Sequence, residues 1–402
     1  MPANITSQEF FIRVALVFIC LGFWKGGLNL FSFPLLGMAW LMDGGLDRFK
    51  QTIREPFVQA ILILCTLLLL GLLWSELPED GRMKWVKYYF LLIFIPFYSL
   101  LNKERLPWVI GALLTNYFSV LAIGVYYWFV MGDQGVPPLK MSYLSFSAML
   151  GIGVIVAIYL ACLSSSVKLR VVSCSVALIL LLVQFHQNSR VLLLATLIAV
   201  TVLIYLRYKM EIRKLGGIFV AVFMITIVLA SSSSVFQDRW TRIKSDIELL
   251  QQGDYRSSLG YRLAIWDVGL HGIAERPLLG HGTGAPERYF ERTIVTYKNG
   301  IYKNLPEFQE TSHYHNDWIE IGMHIGILGI LVLLFLYWNW YQIFKKNQLG
   351  ILGAGLLSYI FLAGLTDTFI IFSKIPILLL MITAIAVSWR RFNLNNHYQR
   401  TA

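Results

Sequence analysis

Apolar runs long enough to form helices recur along almost the whole chain, and they decide its fold class. A helix that crosses the hydrocarbon core of a membrane needs about 20 apolar residues. Only 14% of the 402 residues are charged and the mean hydropathy is +0.62, whereas soluble domains carry about 25% charged residues. We therefore predict an all-α polytopic membrane protein with about 12 transmembrane helices.

The ends of the apolar runs give the ends of the predicted spans. These are Phe10–Trp24, Leu28–Met42, Val58–Trp74, Tyr88–Leu101, Trp108–Met131, Tyr143–Cys162, Leu169–Phe185, Val191–Leu206, Leu215–Leu229, Ile319–Phe344, Gly350–Leu365 and Ile375–Trp389. The first two are shorter than a full crossing requires and are also compatible with a re-entrant pair. The first run lacks a small-residue cleavage motif, so we expect a retained helix and not a signal peptide.

The net charge of +11 is distributed in a way that speaks against nucleic-acid binding. The polar segment 231–317 is close to neutral, and the excess Lys and Arg lie in short loops between the spans. Positive charge in such loops marks the inside of the membrane. With both termini inside, the inside loops hold more than twice as many Lys and Arg as the short outside loops. We therefore expect spans 1–9 in residues 1–230, an outside lid in 231–317, and spans 10–12 with an inside tail in 318–402.

The outside segment is predicted to be mostly helical. Helices are expected over Val235–Gln252, Tyr261–Ala274 and Glu287–Thr296, with a turn-rich stretch at Glu275–Pro286 and an irregular one at Tyr297–Glu310. A segment of this size and modest apolar content is expected to be a lid on the membrane domain more than a separate domain.

The stretch Ser312-His313-Tyr314-His315-Asn316-Asp317-Trp318 ends the polar segment, directly before the apolar run from Ile319. Asn316 or Asp317 is suited to cap the following helix, with Glu320 in its first turn. A helix N-terminus favours an anionic ligand and keeps a nearby imidazole neutral. His315 and His313 are therefore candidates for a general base, and packing residues are the alternative.

A metal site would need more ligands than these two histidines. Zinc motifs on one helix space their histidines by four, whereas His313 and His315 are two apart, and no clear carboxylate set joins them in the sequence. The four cysteines all lie in apolar runs and indicate core residues. We expect no metal, no cofactor and no disulfide framework.

Two arginines are candidates for binding an anion. Arg190 lies in the outside turn before a span, where snorkelling to lipid headgroups is the alternative. Arg262 and Trp266 are four residues apart and share one helix face, although a surface arginine is common. Farther on, Gly322, Gly326 and Gly329 recur along one helix, and we expect them to let a second helix approach closely.

Three short motifs, in this order and at these places in the topology, resemble the O-antigen ligases and their superfamily, which includes O-antigen polymerases and some protein O-oligosaccharyltransferases. The motifs are Asn188-Ser189-Arg190; Arg262-x-x-x-Trp266 with Pro277-Leu278-Leu279-Gly280-His281-Gly282; and His315-Asn316-Asp317-Trp318 with Gly326-x-x-Gly329. The resemblance implies a GT-C-like membrane glycosyltransferase that needs no metal.

The resemblance further implies a donor glycan on undecaprenyl pyrophosphate and an acceptor sugar on lipid A–core, at the periplasmic face of a bacterial inner membrane. Arg190 and Arg262 would hold the departing pyrophosphate, and His315 would accept the hydroxyl proton. His313, Asn316, Ser189 and Trp266 would contact substrate. A polymerase that extends the glycan on its lipid and a protein acceptor are the alternatives within the superfamily. A flippase of lipid-linked sugars is a third, less favoured because no line of intramembrane carboxylates is evident.

Overall fold

The computed structural model describes residues 6–25, 28–76, 84–132, 137–187, 189–232, 234–310, 313–371 and 374–401. Asn188 and Ser312, which belong to two of the sequence motifs, lie outside these residues. The helices are α1 (Ser7–Gly22), α2 (Leu28–Met42), α3 (Gly45–Thr52), α4 (Pro56–Gly71), α5 (Phe94–Leu100), α6 (Leu106–Phe129), α7 (Tyr143–Leu163), α8 (Val167–Phe185), α9 (Arg190–Tyr208), α10 (Ile212–Ser232), α11 (Ser234–Gln251), α12 (Ser258–Glu275), α13 (Pro286–Thr293), α14 (Leu305–Phe308), α15 (Asp317–Lys346), α16 (Gly350–Gly364) and α17 (Lys374–Thr401). Short 3-10 turns are Leu72–Trp74, Lys84–Ile93, Pro138–Lys140, Tyr297–Gly300 and Phe369–Ile371.

The prediction of an all-α polytopic membrane protein is confirmed, since every described element is a helix and each predicted span coincides with helix. Eight helices in the described part of the chain are long and apolar enough to cross a membrane. The other four predicted spans are helices of 16 residues or fewer, or, before α5, a 3-10 turn followed by helix. Their short lengths leave the prediction of about 12 crossings open.

Ion pairs connect loops that the predicted topology assigns to one side of the membrane. Arg105 is buried and binds Glu9 of α1 at 2.6 Å and Asp43, after α2, at 2.8 Å. Arg391 of α17 binds Glu55, before α4, at 2.9 Å. Because a buried charge depends on its partners staying in place, the contacts of Arg105 fix one end of the bundle.

Helix α15 is a hairpin and not the single straight span predicted from its apolar run. The backbone leaves helical geometry at Ile325 and at Gly326, where φ is 65° and ψ is −156°. In a straight helix, Trp318 and Tyr337 would lie about 28 Å apart. Their rings instead stack with centroids 5.8 Å apart. The first segment, 317–324, therefore folds back along the second, 327–346.

The loop 277–285, between α12 and α13, fills the break in α15. The Ile327 N–H donates to the Pro277 carbonyl at 2.8 Å. From the loop, the His281 N–H donates to the Met323 carbonyl at 2.9 Å and the Gly282 N–H to the His324 carbonyl at 3.0 Å. The loop thus satisfies backbone groups that the break leaves without helical partners, which is required of non-helical backbone inside a membrane protein.

The loop 277–285 also explains one of the three glycines that the sequence analysis singled out. A Cβ on Gly326 would lie 2.3 Å from the Leu278 carbonyl oxygen, so only glycine admits the loop here. Gly322 has the predicted packing role, because a Cβ there would lie 2.7 Å from Ile273 of α12. The glycine pattern therefore marks the contact with α12 and with the loop that follows it.

The outside segment has its own small core. Buried side chains from α12, α13 and the irregular stretch after α13 pack against the first segment of α15: Tyr261, Ala264, Ile265, Val268, Phe290, Ile294, Tyr302, Leu305, Tyr314, Ile319 and Met323. The predicted helices over Tyr261–Ala274 and Glu287–Thr296 are present as α12 and α13. This core places α12 directly against the residues that precede α15.

Candidate functional site

Two histidines and one aspartate form a compact cluster at the start of α15. His313 Nε2 and His315 Nδ1 each lie 3.1 Å from Oδ1 of Asp367. The two imidazole rings are 4.1 Å apart between centroids. Asp367 follows α16 and is only 2% exposed, so the carboxylate approaches the histidines from inside the bundle.

Asn316 and Trp266 hold the backbone that carries His315. The Asn316 side-chain oxygen accepts the N–H groups of Trp318 at 2.9 Å and Ile319 at 3.2 Å, which confirms a cap at this position. Its side-chain nitrogen donates to the Leu365 carbonyl at 2.9 Å. Trp266 donates its indole N–H to the His315 carbonyl at 3.2 Å. Both predicted substrate-binding residues thus have contacts that position the loop.

The backbone of His315 adopts a left-handed conformation with φ of 46°. Residues other than glycine take this conformation at a cost of order 1–3 kcal/mol, and it persists where the surroundings enforce it. The hydrogen bond from Trp266 and the helix cap of Asn316 provide that enforcement on either side of His315. The strained residue is therefore held where its ring meets Asp367.

Electrostatics favour an ionised Asp367 and a neutral His315. Burial would raise the pKa of Asp367, but hydrogen bonds from His313 and His315 outweigh it and hold the pKa well below the ordinary value. Burial lowers the pKa of His315, and the hydrogen bond to Asp367 partly opposes this shift. A carboxylate that accepts from Nδ1–H fixes the tautomer of His315. The lone pair of Nε2 is then available to accept a proton.

The expectation that no carboxylate joins the two histidines is wrong. Ligand atoms of His313, His315 and Asp367 all lie within 4.8 Å of one another, close enough to surround one metal ion. Sequence reasoning missed this arrangement because Asp367 lies 52 residues beyond His315, across a break in α15 and a full helix. The same geometry also suits a base oriented by a carboxylate, so a chelation test must separate the two uses.

Arg262 lies near this cluster. Its positive charge contributes to the lowered pKa of His315 after burial, Asp367 and His313. The Nη1 of Arg262 donates to the Ser258 carbonyl and hydroxyl at 3.0 and 2.9 Å. Its Nε is buried and has no hydrogen-bond partner among the described residues. A buried donor without a partner is costly, and it suits a site that receives an anionic ligand.

Arg190 and Ser189 lie at the start of α9. Ser189 is buried and occupies the N-cap position without a side-chain capping hydrogen bond, and Arg190 is the first helical residue. Helix α9 packs against α16, the helix that leads to Asp367. The convergence of Arg190 with His315 stays a prediction.

An apolar groove of about 540 Å³ lies beside the histidine cluster. Its walls come from α9, α15 and α16, and include Val202, Trp318 and Phe361. Trp318 is three residues beyond His315, so the groove and the cluster share the first turn of α15. An open apolar groove of this kind fits a hydrocarbon chain more readily than a sugar.

A chain of buried hydrogen bonds joins the loop 277–285 to the histidine stretch. The Gly284 N–H donates to His324 Nδ1 at 3.1 Å, so the opposite ring nitrogen carries the proton toward Glu320 at 3.2 Å. Glu320 in turn accepts the Tyr314 N–H at 2.7 Å. These contacts make His324 and Glu320 structural supports for the stretch that carries His313 and His315.

Residues 175–334 match a family model described as O-Antigen ligase. The family match covers Arg262, His313 and His315 but ends before Asp367. The chain is 28% identical over 211 residues to an O-antigen ligase of Escherichia coli strain K12, covering 52% of this chain and 48% of that protein. It is 24% identical over 153 residues to an uncharacterized protein of Haemophilus influenzae, covering 37% of each. The chain thus aligns with about half the length or less of these relatives.

Proposed function

Residues 175–334 of the chain match a family model described as O-Antigen ligase, and from that premise we propose that the protein is a membrane glycosyltransferase acting on a lipid-linked glycan. Its donor would be a glycan on undecaprenyl pyrophosphate, and its acceptor a sugar hydroxyl of lipid A–core. The reaction would occur at the periplasmic face of a bacterial inner membrane, with both termini cytoplasmic.

One observation carries the proposal: a histidine oriented by a buried carboxylate lies beside an arginine with a buried, unpartnered Nε. His315 donates Nδ1–H to Asp367, which leaves Nε2 as the proton acceptor. Arg262 supplies positive charge at the same place. Glycosyl transfer from a pyrophosphate needs both features, because a hydroxyl must lose its proton and a polyanion must leave.

The reaction then follows from these groups. The acceptor hydroxyl oxygen attacks the anomeric carbon of the donor sugar as its proton passes to His315 Nε2. The bond between the anomeric carbon and the pyrophosphate oxygen breaks, and undecaprenyl pyrophosphate leaves with the bonding electrons. Attack opposite the leaving group inverts the anomeric centre. Arg262, with Arg190 as the second predicted cation, would stabilise the charge that develops on the pyrophosphate.

The apolar groove supports a lipid-linked donor. Its length along α9, α15 and α16 offers the isoprenoid chain an apolar surface that starts beside the reacting groups. Helix α9 forms one wall of the groove and begins at Arg190. A donor bound there would place its pyrophosphate toward the outer end of the bundle, where Arg190 and the lid meet in the predicted topology.

Reconstitution with defined substrates tests the proposal. Purified protein in proteoliposomes is mixed with lipid-linked glycan and lipid A–core, with and without EDTA, and glycosylated lipid A–core is measured. We expect transfer in both conditions, with no transfer by His315→Ala and normal folding of that variant. Full activity of His315→Ala would overturn the base assignment. Loss of transfer in EDTA that returns with one divalent ion would show that the histidine cluster binds a metal.

The same assay separates the alternatives. Longer lipid-linked chains in place of glycosylated lipid A–core would identify a polymerase, and transfer to an added protein would identify a protein O-oligosaccharyltransferase. Movement of donor across the membrane without its consumption would identify a flippase. The matched family model is described as O-Antigen ligase, and the product of this assay tests that assignment against the other three.

A further inference from the structure

A second cavity, of about 270 Å³, lies on the outside segment away from the histidine cluster. It is enclosed by Glu76 after α4, the C-terminal end of α12, the loop 277–285 and helix α13. Its charged lining consists of Glu76, Glu275, Arg276, Arg288 and Arg292. We refer to it as the arginine cavity.

The acidic groups of the arginine cavity are already engaged. Arg292 binds Glu76 at 2.8 Å, which joins α13 to the end of α4. Glu275 accepts the Tyr289 hydroxyl at 2.9 Å and lies 3.3 Å from His271 Nε2. His281 adds no positive charge, because burial lowers its pKa.

With Arg292 paired to Glu76, the remaining charged lining is Arg276 and Arg288 against the single carboxylate of Glu275, which leaves the cavity net positive. Within the described ranges of the chain, neither side chain forms an ion pair. Two guanidinium groups that face one cavity form a site for a bidentate anion such as phosphate. The lining therefore indicates the chemical class of its ligand.

The arginine cavity lies next to apolar surface. Leu278 and Leu279, which follow Arg276 and Pro277 in the chain, are 68% and 49% exposed. Trp74, the last residue of a candidate span, donates its indole N–H to the Leu279 carbonyl at 3.1 Å. Tryptophan at the end of a span marks the boundary between membrane and water. A phosphate carried by an amphiphile fits this place better than a soluble anion.

The arginine cavity is separate from the donor pyrophosphate. Arg262 lies in α12 and Arg276 is the residue that follows its last turn, fourteen positions later, which corresponds to about 21 Å along the helix axis. The two arginines therefore cannot bind one pyrophosphate. A volume of about 270 Å³ is near the lower end of small-molecule sites, about 300–1,000 Å³. It suits one phosphorylated sugar unit, not an oligosaccharide.

We propose that Arg276 and Arg288 bind a phosphate group on the acceptor glycolipid and so align the acceptor along α12 toward His315. This inference rests on the proposed function, because it assumes a glycolipid acceptor. A phosphate of an ordinary lipid headgroup has the same chemistry and is the competing source.

Binding measured without donor tests the site independently of transfer. Full-length protein in phosphatidylcholine nanodiscs is titrated with lipid A–core and with lipid A–core treated with phosphatase. The test variant is Arg276→Gln/Arg288→Gln. The control is Arg256→Gln, an exposed arginine of the same segment that is paired with Asp254. KM and kcat for transfer are measured in parallel, and thermal unfolding reports the folding of each variant.

We expect the double variant to raise Kd and KM for the phosphorylated acceptor at least tenfold, with kcat, donor binding and binding of the dephosphorylated acceptor unchanged. Unchanged Kd for the phosphorylated acceptor would overturn the inference. Competition by phosphatidylglycerol nanodisc lipid in the wild type, lost in the double variant, would assign the site to a headgroup and also overturn it. If the double variant raises Kd for the phosphorylated acceptor but the wild-type protein transfers no glycan, the result supports the site and contradicts the proposed function.

Discussion

His315 Nδ1 and Asp367 Oδ1 lie 3.1 Å apart, although 52 residues separate them in the chain. The hydrogen bond bridges the start of α15 and the end of α16, so it forms only when both helices are in place. His313 Nε2 lies 3.1 Å from the same carboxylate oxygen. The cluster therefore depends on the fold of the membrane bundle. Substitution of each of its three members is expected to have a different effect on transfer.

Asp367→Asn should lower kcat at least about tenfold, but less than the 10²–10⁴-fold that a general base contributes. The amide keeps the shape of the carboxylate and loses the charge that orients and stabilises the imidazole. The measurement is steady-state transfer in proteoliposomes. Glu248→Gln, at an exposed position of α11, removes a carboxylate elsewhere on the outside segment and should leave kcat unchanged. Equal rates for Asp367→Asn and the wild type would contradict the orienting role.

His313→Ala should be less damaging than His315→Ala. His313 donates one of the two hydrogen bonds that hold the pKa of Asp367 low. Its loss therefore raises the pKa of Asp367 but leaves the proposed base, His315, in place. We expect a loss of about tenfold for His313→Ala against about 10²–10⁴-fold for His315→Ala. The two variants are compared at saturating donor and acceptor. The reverse order of effects would move the base to His313.

The pH dependence of transfer should report the neutral form of His315. Burial lowers its pKa, so the imidazole stays unprotonated below the ordinary value of about 6.5. We expect kcat to be constant from neutral pH upward and to fall only on acidification below about 6.5. In Asp367→Asn, the interaction that raises this pKa is lost, and the acid limb should move to lower pH. A shift to higher pH would speak against the assignment of the base.

Arg262→Ala should lower kcat by about 10²–10³-fold, the effect of removing one donor that stabilises developing negative charge. Arg262→Lys keeps the charge but not the bidentate geometry, and should recover only part of the rate. Arg256→Ala is the control because Arg256 is exposed and paired with Asp254. A loss confined to KM, with kcat unchanged, would assign Arg262 to ground-state binding and not to stabilisation of the leaving group.

Gly326→Ala should destabilise the protein by at least about 1–3 kcal/mol, since it adds a side chain at φ of 65°. Its Cβ would also meet the Leu278 carbonyl oxygen at 2.3 Å. Gly111→Ala in α6 is the matched control, because no atom lies within 4 Å of its added Cβ and alanine favours a helix. Thermal unfolding in detergent compares the two. Equal melting temperatures would contradict the packing of the loop into α15.

Local residue patterns led to correct predictions where the physical cause was local. The shared face of Arg262 and Trp266 follows from their spacing of four, and α12 indeed presents Trp266 to the carbonyl of His315. The cap at Asn316 follows from residue type at the start of an apolar run. Each apolar run correctly predicted helix, because burial in lipid depends on composition over about 20 residues.

The sequence did not reveal the contacts that form only after the chain has folded back on itself. An apolar run that contains glycines gives no sign of whether it continues straight or folds back, so the hairpin of α15 went unpredicted. The role of Asp367 is not visible in the sequence, since this residue becomes a neighbour of His315 only after α15 and α16 have packed. No local pattern indicates that Arg276 and Arg288 share a cavity, because that cavity requires the loop 277–285 to enter α15.

The loop 277–285 precedes the helix that it completes by about forty positions in the chain. During synthesis, the backbone groups of the loop that hydrogen-bond to Met323, His324 and Ile327 therefore leave the ribosome before those three residues do. Helix α15 can break at Gly326 without passing through a state in which its unpaired backbone faces lipid alone. The order of the chain thus provides a template for the hairpin, and exchanging the positions of the two segments in a permuted protein would remove it.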